Sequence, residues 1–168
     1  MGGMEIERKF LVKDNESFKQ MATGSHTIRQ GYFAVKGATV RIRQRDDEAF
    51  LTIKGPSRNA DGLSRYEYEV PLKPSDAAQL FQLCVPPFIW KTRYLVPVGN
   101  HVFEVDEFHG DNEGLVIAEV ELKSETETFE KPPFLGEEVT GQRQYYNSHL
   151  RRFPYKEWQK QKNNQHAE

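Results

Sequence analysis

The sequence predicts a mainly β (α+β) protein in which eight antiparallel strands form a closed barrel, with a few short helices outside it. Eight segments alternate between apolar and polar residues and end at turn residues, a pattern typical of β-strands. Most are joined by short links, which favours antiparallel neighbours. The predicted strands are residues 5–13, 27–35, 39–45, 49–55, 64–71, 88–97, 101–109 and 115–123.

Three helical segments interrupt this pattern. They are predicted at residues 16–23, 76–83 and 144–152, with a further helical turn at 155–161. Asn15 and Ser75 are the expected N-caps of the first two. We expect residues 1–3 to be a vector remnant outside the fold, residues 4–158 to form one domain, and residues 159–168 to form a polar tail.

Composition indicates a soluble, cytoplasmic protein. The 168 residues suffice for one domain with a sizeable core. The only cysteine, Cys84, cannot form an internal disulfide, and its expected role is that of a buried core residue in a reducing compartment. No apolar run approaches the length of a membrane span and no signal peptide is evident, so we expect no membrane association.

Charged residues occupy the second face of strand after strand. The first predicted strand places Glu5, Glu7 and Lys9 on one side. The same two-residue spacing recurs in later strands, in the sets Arg41, Arg43 and Arg45; Lys54; Arg65, Glu67 and Glu69; Lys91 and Arg93; Glu104 and Asp106; Glu119 and Glu121. Neighbours on one face of a strand lie only about 7 Å apart. Like charges at that distance repel one another unless something neutralises them.

Two interpretations of this charged face compete. A solvated outer face of an antiparallel sheet accounts for any single strand. The whole set favours an enclosed face, because some strands carry pairs of acidic residues and others carry pairs of basic residues. Acidic pairs require a cation, whereas arginine pairs require an anion. We therefore predict a barrel interior that binds a polyanion together with a metal ion.

The residue types agree with this ligand. Carboxylate oxygens suit magnesium and manganese, and magnesium commonly completes its shell with water and phosphate oxygens. Arginine presents a planar fork that matches phosphate, and lysine provides a compact charge. Phosphoryl transfer depends chiefly on positioning and charge neutralisation, which these groups supply.

The segment Met4-Glu5-Ile6-Glu7-Arg8-Lys9-Phe10 resembles the Glu-x-Glu-x-Lys signature that opens members of the CYTH superfamily, also called triphosphate tunnel metalloenzymes. Later strands agree with the family in order: Val40-Arg41-Ile42-Arg43, Leu51-Thr52-Ile53-Lys54, Glu67-Tyr68-Glu69, Lys91-Thr92-Arg93-Tyr94, Glu104-Val105-Asp106 and Ala118-Glu119-Val120-Glu121-Leu122. The resemblance runs from Met4 to about Leu150. Short bacterial inorganic tripolyphosphatases are the members it resembles.

This resemblance implies an eight-stranded antiparallel tunnel that uses Mg²⁺ or Mn²⁺ on a triphosphate substrate. It implies metal ligands at Glu5, Glu7, Asp106, Glu119 and Glu121. It implies phosphate-binding side chains at Lys9, Arg41, Arg43, Lys54, Lys91 and Arg93, and further tunnel-lining residues at Glu67, Glu69 and Glu104. The implied catalytic residues are Glu5, Glu7, Lys9 and Tyr32, of which Tyr32 matches a family tyrosine that can approach the first-strand lysine.

One segment departs from the family pattern. After the last strand, short bacterial members commonly carry Val-Thr-x-Asp-x-Arg-Tyr-x-Asn. Here the segment 139–147 has Gln142 and Gln144 at the Asp and Arg places, with Arg143 between them. The role of this C-terminal segment, which resembles a helix near one mouth of the tunnel, stays open at this point.

Several functions fit these features. The leading hypothesis is metal-dependent hydrolysis of a triphosphate, with inorganic tripolyphosphate giving pyrophosphate and phosphate. Alternatives on the same fold are a class IV adenylate cyclase, a thiamine triphosphatase and a non-catalytic polyphosphate- or nucleotide-binding module. A nucleic-acid binder is disfavoured by the net charge of −2 and the acid-rich strands. The sequence leaves open whether the chain forms a homodimer.

Overall fold

The computed structural model describes residues 2–13 and 16–166, and in these ranges the chain forms nine β-strands. They are β1 (Gly2–Val12), β2 (Gly24–Tyr32), β3 (Thr39–Arg45), β4 (Glu48–Ser57), β5 (Ser64–Leu72), β6 (Val85–Val98), β7 (His101–Phe108), β8 (Val116–Glu121) and β9 (Leu135–Glu138). All their pairings are antiparallel. The mainly β prediction is therefore confirmed.

Eight of these strands close into a barrel through β1. The hydrogen-bonded order runs β5-β4-β3-β2-β6-β7-β8-β1, and β1 pairs with β5 to complete the ring. Gly2 to Ile6 face Tyr68 to Ser64 of β5, whereas the next residues of β1 face β8, with Glu7 opposite Glu121. The predicted closed eight-stranded barrel is confirmed, and closure removes the exposed edges that an open sheet would present.

The ninth strand, β9, was not predicted. It pairs with the end of β1, where Phe10 lies opposite Glu138 and Val12 opposite Leu135. The Arg8 guanidinium donates to both carboxylate oxygens of Glu138, at 2.5–2.7 Å. A four-residue strand that follows Pro132 and Pro133 and contains Gly136 gives too short an alternation for sequence reading to detect.

The helices lie near their predicted positions. They are α1 (Ser17–Met21), α2 (Pro74–Phe81), α3 (Asn147–Leu150) and α4 (Tyr155–His166), and a 3₁₀ turn at Arg143–Tyr145 precedes α3. The helix predicted at 144–152 is therefore broken into a 3₁₀ turn and a short α-helix. Lys73, not Ser75, is the N-cap of α2, because Pro74 takes the first helical position. Asn15 lies outside the described residues.

Both predicted chain ends need correction. Gly2 and Gly3 belong to β1 and pair with β5, so the fold begins earlier than residue 4. At the other end, α4 runs as one helix across the boundary predicted at residue 158 and continues to His166. In the described ranges, each helix is too short or too polar to span a lipid bilayer.

The apolar core lies outside the barrel wall. One cluster includes Phe10, Phe18, Phe103 and Phe134 and packs beneath α1. The other two clusters lie against α3 and α4, and against α2. Successive side chains of a strand point to opposite faces of the sheet. Where the apolar residues face outward and pack against the helices, the charged residues between them face inward.

Candidate functional site

The barrel encloses a polar cavity of about 190 Å³. Of the site residues expected from the sequence, the ones that line it are Glu5, Glu7, Lys9, Tyr32, Arg41, Arg43, Lys54, Glu67, Glu69, Lys91, Arg93, Glu104, Glu119 and Glu121. Arg45 and Arg65, which share the same strand faces, also line it. The alternation of charged residues in the sequence therefore corresponds to one enclosed surface, which we call the tunnel. Asp106 is the expected site residue that is absent from this lining.

The strand register gathers acidic residues on one wall of the tunnel. Glu7 lies opposite Glu121 across β1 and β8, and Glu104 lies opposite Glu119 across β7 and β8. Burial, followed by the charges of Glu119 and Glu5, raises the pKa of Glu7 to about 8. Carboxylates that face one another across strands repel. This wall therefore has too few positive charges to neutralise its acidic residues.

The same deficit affects the neighbours of Glu7. Burial raises the pKa of Glu121, and the carboxylates of Glu5 and Glu104 raise it further. Burial is also the largest cause of the raised pKa of Glu5, although Lys54 Nζ lies 2.8 Å from Glu5 Oε1. Within residues 2–13 and 16–166, neither Glu7 nor Glu121 is paired in a salt bridge.

The opposite wall, on β3, is basic. Burial, followed by repulsion from Arg41 and Arg93, lowers the pKa of Arg43 to about 9. Arg43 Nε donates to Gln30 Oε1 at 2.6 Å, whereas the buried Nε of Arg41 has no partner among the described residues. A buried hydrogen-bond donor without an acceptor is costly, and an anion in the tunnel would supply an acceptor.

Two basic side chains on β6 are held in place by a buried aspartate. Lys91 Nζ lies 2.6 Å from Asp106 Oδ2, and Arg93 donates from Nε to Asp106 Oδ1 at 2.7 Å and from Nη2 to Oδ2 at 2.9 Å. Asp106 is fully buried, and both its oxygens are already occupied. These contacts indicate that Asp106 supports Lys91 and Arg93. Asp106 is therefore not among the metal ligands that we propose.

Lys91 is the most enclosed cation of the tunnel. Its side chain is fully buried, and burial lowers its pKa to about 7 despite the attraction of Asp106. Its second partner is Asn147, whose side-chain Oδ1 accepts from Lys91 Nζ at 2.9 Å and from Gln30 Nε2 at 3.1 Å. Asn147 therefore ties α3 to the tunnel wall.

Glu119 lies where the acidic and basic walls meet. Its carboxylate oxygens lie 3.6 Å from Lys9 Nζ and 3.8 Å from Arg93 Nη2. Burial alone would raise the pKa of Glu119, but the charges of Lys9 and Arg93 hold it well below its usual range. Glu119 is therefore ionised at neutral pH, in contrast to Glu7 on the neighbouring strand.

Three further acidic residues complete the lining. Glu67 Oε2 lies 3.1 Å from Lys54 Nζ, and Glu69 accepts a hydrogen bond from Thr52 Oγ1 at 2.8 Å. Glu104 forms an ion pair with Arg93. Glu67 and Glu104 thereby help to position Lys54 and Arg93.

Lys9 and Tyr32 both reach the tunnel, but each contacts other partners. Lys9 Nζ lies near Glu119 and 5.0 Å from the centroid of the Tyr146 ring. The Tyr32 hydroxyl oxygen accepts a hydrogen bond from Gln30 Nε2 at 3.0 Å. The pairing of Lys9 with Tyr32 suggested by the resemblance is thus not a direct contact in this arrangement.

The C-terminal segment 141–148 contributes tunnel residues that sequence reading missed. Tyr146, Asn147 and Ser148 line the tunnel, and the Tyr146 ring also lies 5.5 Å from the Arg65 guanidinium. The asparagine at the end of the family pattern was a usable signal for Asn147. Tyr146 occupies a variable place in that pattern, so only the three-dimensional arrangement identifies it.

The acidic wall fits a divalent cation by the chemistry of its donors. Glu5, Glu7, Glu119 and Glu121 offer carboxylate oxygens, and the raised pKa values of Glu5, Glu7 and Glu121 would be relieved by a positive charge. In the described part of the chain, no three acidic, histidine or cysteine side chains are already gathered as a metal-binding group. This arrangement suits Mg²⁺, which is commonly held by one or two carboxylates plus phosphate oxygens.

The pattern of the CYTH domain matches residues 3–153, which is most of the chain. This chain belongs to the CYTH family. Two relatives named inorganic triphosphatase are similar to this CYTH protein. The one from Acetivibrio thermocellus is 46% identical over 156 residues, covering 92% of this chain and 97% of the relative. The one from Nitrosomonas europaea is 37% identical over 152 residues, covering 87% and 95%.

A solved structure of an inorganic triphosphatase is similar to the CYTH protein in fold. Its TM-score is 0.60 at 32% sequence identity, and the match covers 88% of this chain and 93% of that one. The closed barrel and the enclosed charged lining therefore agree with the family assignment.

Proposed function

We propose that this CYTH protein is a divalent-metal-dependent hydrolase that cleaves inorganic tripolyphosphate to pyrophosphate and phosphate. The lining of the tunnel carries this proposal. Twenty of the described residues line it; fifteen of these are Glu, Lys or Arg, and none of the twenty is aliphatic. Such a surface suits a small, highly charged ligand, because sites for organic molecules are mostly apolar. The names of both relatives support the same activity.

The basic side chains hold the substrate in this proposal. Lys9, Arg41, Arg43, Lys54, Lys91 and Arg93 bind the phosphate oxygens. Arg41 and Arg43 lie on the basic wall with unsatisfied charge, so they gain most from an anion. Lys91 and Arg93 are fixed by Asp106 before the substrate arrives, which reduces the entropy lost on binding.

The acidic wall holds the metal in this proposal. Glu5, Glu7, Glu119 and Glu121 are the proposed ligands of Mg²⁺ or Mn²⁺. When bound, the ion neutralises charge on the phosphate oxygens and favours attack by water. Glu5 and Glu7 act in catalysis through this role, and Lys9 and Tyr32 are proposed to contact the terminal phosphoryl group, since both line the tunnel.

The proposed reaction needs no covalent enzyme intermediate. Water attacks the terminal phosphorus, the bridging P–O bond breaks, and pyrophosphate leaves while the attacking oxygen stays on the released phosphate. Catalysis then depends on positioning and on charge neutralisation, for which the two walls of the tunnel are arranged.

A class IV adenylate cyclase uses the same triphosphate grip but must also fix a nucleoside, so that the ribose 3′-hydroxyl reaches the α-phosphorus. Thiamine triphosphatase likewise requires contacts with an organic group. Among the described residues that line the tunnel, only Tyr32 and Tyr146 are aromatic. We therefore propose inorganic tripolyphosphate as the preferred substrate.

The test is phosphate release from tripolyphosphate, ATP and thiamine triphosphate, with Mg²⁺, with Mn²⁺ and with EDTA, followed by chromatography of the products. We expect fastest turnover of tripolyphosphate, no turnover in EDTA, and no cyclic AMP from ATP. Glu121→Gln should be inactive, whereas Glu137→Gln, an exposed carboxylate outside the tunnel, should retain activity. Cyclic AMP and pyrophosphate as main products would identify a cyclase, and binding without turnover would identify a binding module.

A further inference from the structure

A second cavity lies beside the tunnel and shares a wall with it. Its volume is about 230 Å³. Four residues line both spaces, namely Tyr32, Thr39, Tyr146 and Ser148. We call this second space the side cavity. It is formed by the end of β2, the start of β3 and the chain between Arg143 and Arg152, which includes α3.

Basic residues dominate the charge of the side cavity. Arg143, His149, Arg151 and Arg152 line it, and no Asp or Glu is among the described residues that do so. Arg143 and Arg152 are exposed, whereas Arg151 is only 6% exposed. Three guanidinium groups without a facing carboxylate produce a local excess of positive charge that favours an anion.

Arg151 is the buried element of this cluster. Its guanidinium lies 5.6 Å from the centroid of the Tyr32 ring, and Nη1 donates a 3.4 Å hydrogen bond to the carbonyl oxygen of Val85. Its Nε is buried and has no hydrogen-bond partner within the described ranges. Burial, then repulsion from Arg152, lowers the pKa of Arg151. A buried guanidinium without a carboxylate partner is costly unless an anion nearby neutralises its charge.

We propose that the side cavity is a second anion site, separate from the tunnel, that binds inorganic phosphate. A guanidinium fork can donate two parallel hydrogen bonds to phosphate oxygens, and Arg151 and Arg152 provide two such groups on one wall. Phe33, Val35 and Val40 form apolar parts of the same lining.

Tyr32 separates the two sites. Its hydroxyl oxygen accepts from Gln30 within the barrel, and its ring faces Arg151. The side cavity therefore adjoins the tunnel without using the tunnel cations Arg41, Arg43, Lys54 and Arg93. Phosphate binding in the side cavity does not depend on hydrolysis in the tunnel. A failure of one proposal therefore leaves the other open to test.

The test observes arginine Nε–H signals by ¹⁵N–¹H NMR during titration with sodium phosphate in EDTA. Signals are assigned from Arg→Lys variants, with Arg151 and Arg152 as reporters of the side cavity and Arg43 as reporter of the tunnel. We expect saturable shifts of the Arg151 and Arg152 signals. These shifts should persist when tripolyphosphate, added first, has already saturated the Arg43 signal.

Variants sharpen this test. Arg152→Gln removes one charged donor from an exposed side chain, so the fold should be kept and phosphate affinity at Arg151 should fall about tenfold. Arg29→Gln, an exposed arginine that lines neither space, should leave the affinity unchanged. The proposal is wrong if phosphate leaves the Arg151 and Arg152 signals unmoved. It is also wrong if tripolyphosphate shifts them together with Arg43 and abolishes the response to phosphate.

Discussion

At the scale of single residues, Glu7 has a charge state that depends strongly on what occupies the tunnel. Burial and the neighbouring carboxylates raise its pKa from 4.5 to about 8. The unfolded chain therefore releases this proton at lower pH than the folded chain. The folded protein binds more protons between these two values, and its stability falls as pH rises through that window.

Replacing Glu7 by Gln should remove this pH dependence. In EDTA, the melting temperature of Glu7→Gln should exceed that of the wild type by a margin that grows from about pH 4.5 to about pH 8, with no growth below that range. Thermal unfolding across this pH range measures the margin, with Glu137→Gln as the control. A margin that stays constant with pH would contradict the burial argument. Turnover by Glu7→Gln with Mg²⁺ should be abolished.

Asn147 lines the tunnel, although the sequence analysis did not assign it there. Its side-chain oxygen accepts hydrogen bonds from Lys91 and Gln30, so Asn147→Ala leaves the Lys91 ammonium with one fewer partner. Loss of a hydrogen bond to a charged group costs about 1.5–3 kcal/mol. We expect kcat/KM for tripolyphosphate to fall about tenfold or more. Initial-rate kinetics with Ser57→Ala, outside the tunnel, as control would test this.

At the scale of elements, the C-terminal segment is locked against the loop between β4 and β5 by close backbone contact. Gly141 has φ of +77°, and a Cβ added there would lie 2.3 Å from the carbonyl oxygen of Asp61. Gly37 has the same φ of +77°, but an added Cβ there meets nothing within 4 Å. The two glycines thus separate backbone strain from steric clash.

Substituting each glycine by alanine should give different losses. Gly37→Ala should cost about 1–2 kcal/mol of unfolding free energy from the left-handed conformation alone. Gly141→Ala should cost more, and it should raise KM because Tyr146 and Asn147 follow directly in the displaced segment. Urea unfolding and steady-state kinetics provide the comparison. Equal losses with unchanged KM would show that this contact does not position the segment.

The predictability of the elements follows from how far each pattern extends. Eight strands were predictable because each is at least six residues long and alternates between apolar and polar residues, a pattern that also assigned Glu5, Glu7 and Lys9 to one face. β9 is too short for that signal. The start of β6 was missed because Pro86 and Pro87 precede its alternating part. Tyr146 reaches the tunnel through a 3₁₀ turn, where strand periodicity carries no information.

At the scale of the whole molecule, the interior of the barrel has paired like charges that a ligand would neutralise. The non-hydrolysable imido analogue of tripolyphosphate with Mg²⁺ should therefore raise the melting temperature. At a hundredfold excess over Kd, the added stability is about 2.7 kcal/mol. Thermal unfolding with and without the analogue measures the gain, and an unchanged melting temperature at saturation would count against the tunnel site.

Arg43 allows this stabilisation to be assigned to the tunnel. Burial and the neighbouring arginines lower its pKa to about 9, so the charge of Arg43 is costly in the folded protein although it is still present at neutral pH. Arg43→Ala should reduce the increase in melting temperature that the analogue produces. It should not destabilise the free protein through repulsion, because it removes a charge that Arg41 and Arg93 repel. Arg29→Ala, on the exposed surface, should keep the full gain. Equal gains in both variants would place the ligand elsewhere.

The pairing of β1 has a consequence for synthesis of the chain. Residues of β1 form their bonds with β5, β8 and β9, so Phe10 must await partners at Ala118 and Glu138. β1 precedes the other barrel strands along the chain, yet it is among the last to gain all its neighbours. Contacts so distant along the chain slow folding. Glu5, Glu7 and Lys9 are therefore made before the strands that enclose them, and the tunnel is complete only after Tyr146, Asn147 and Ser148 have been made.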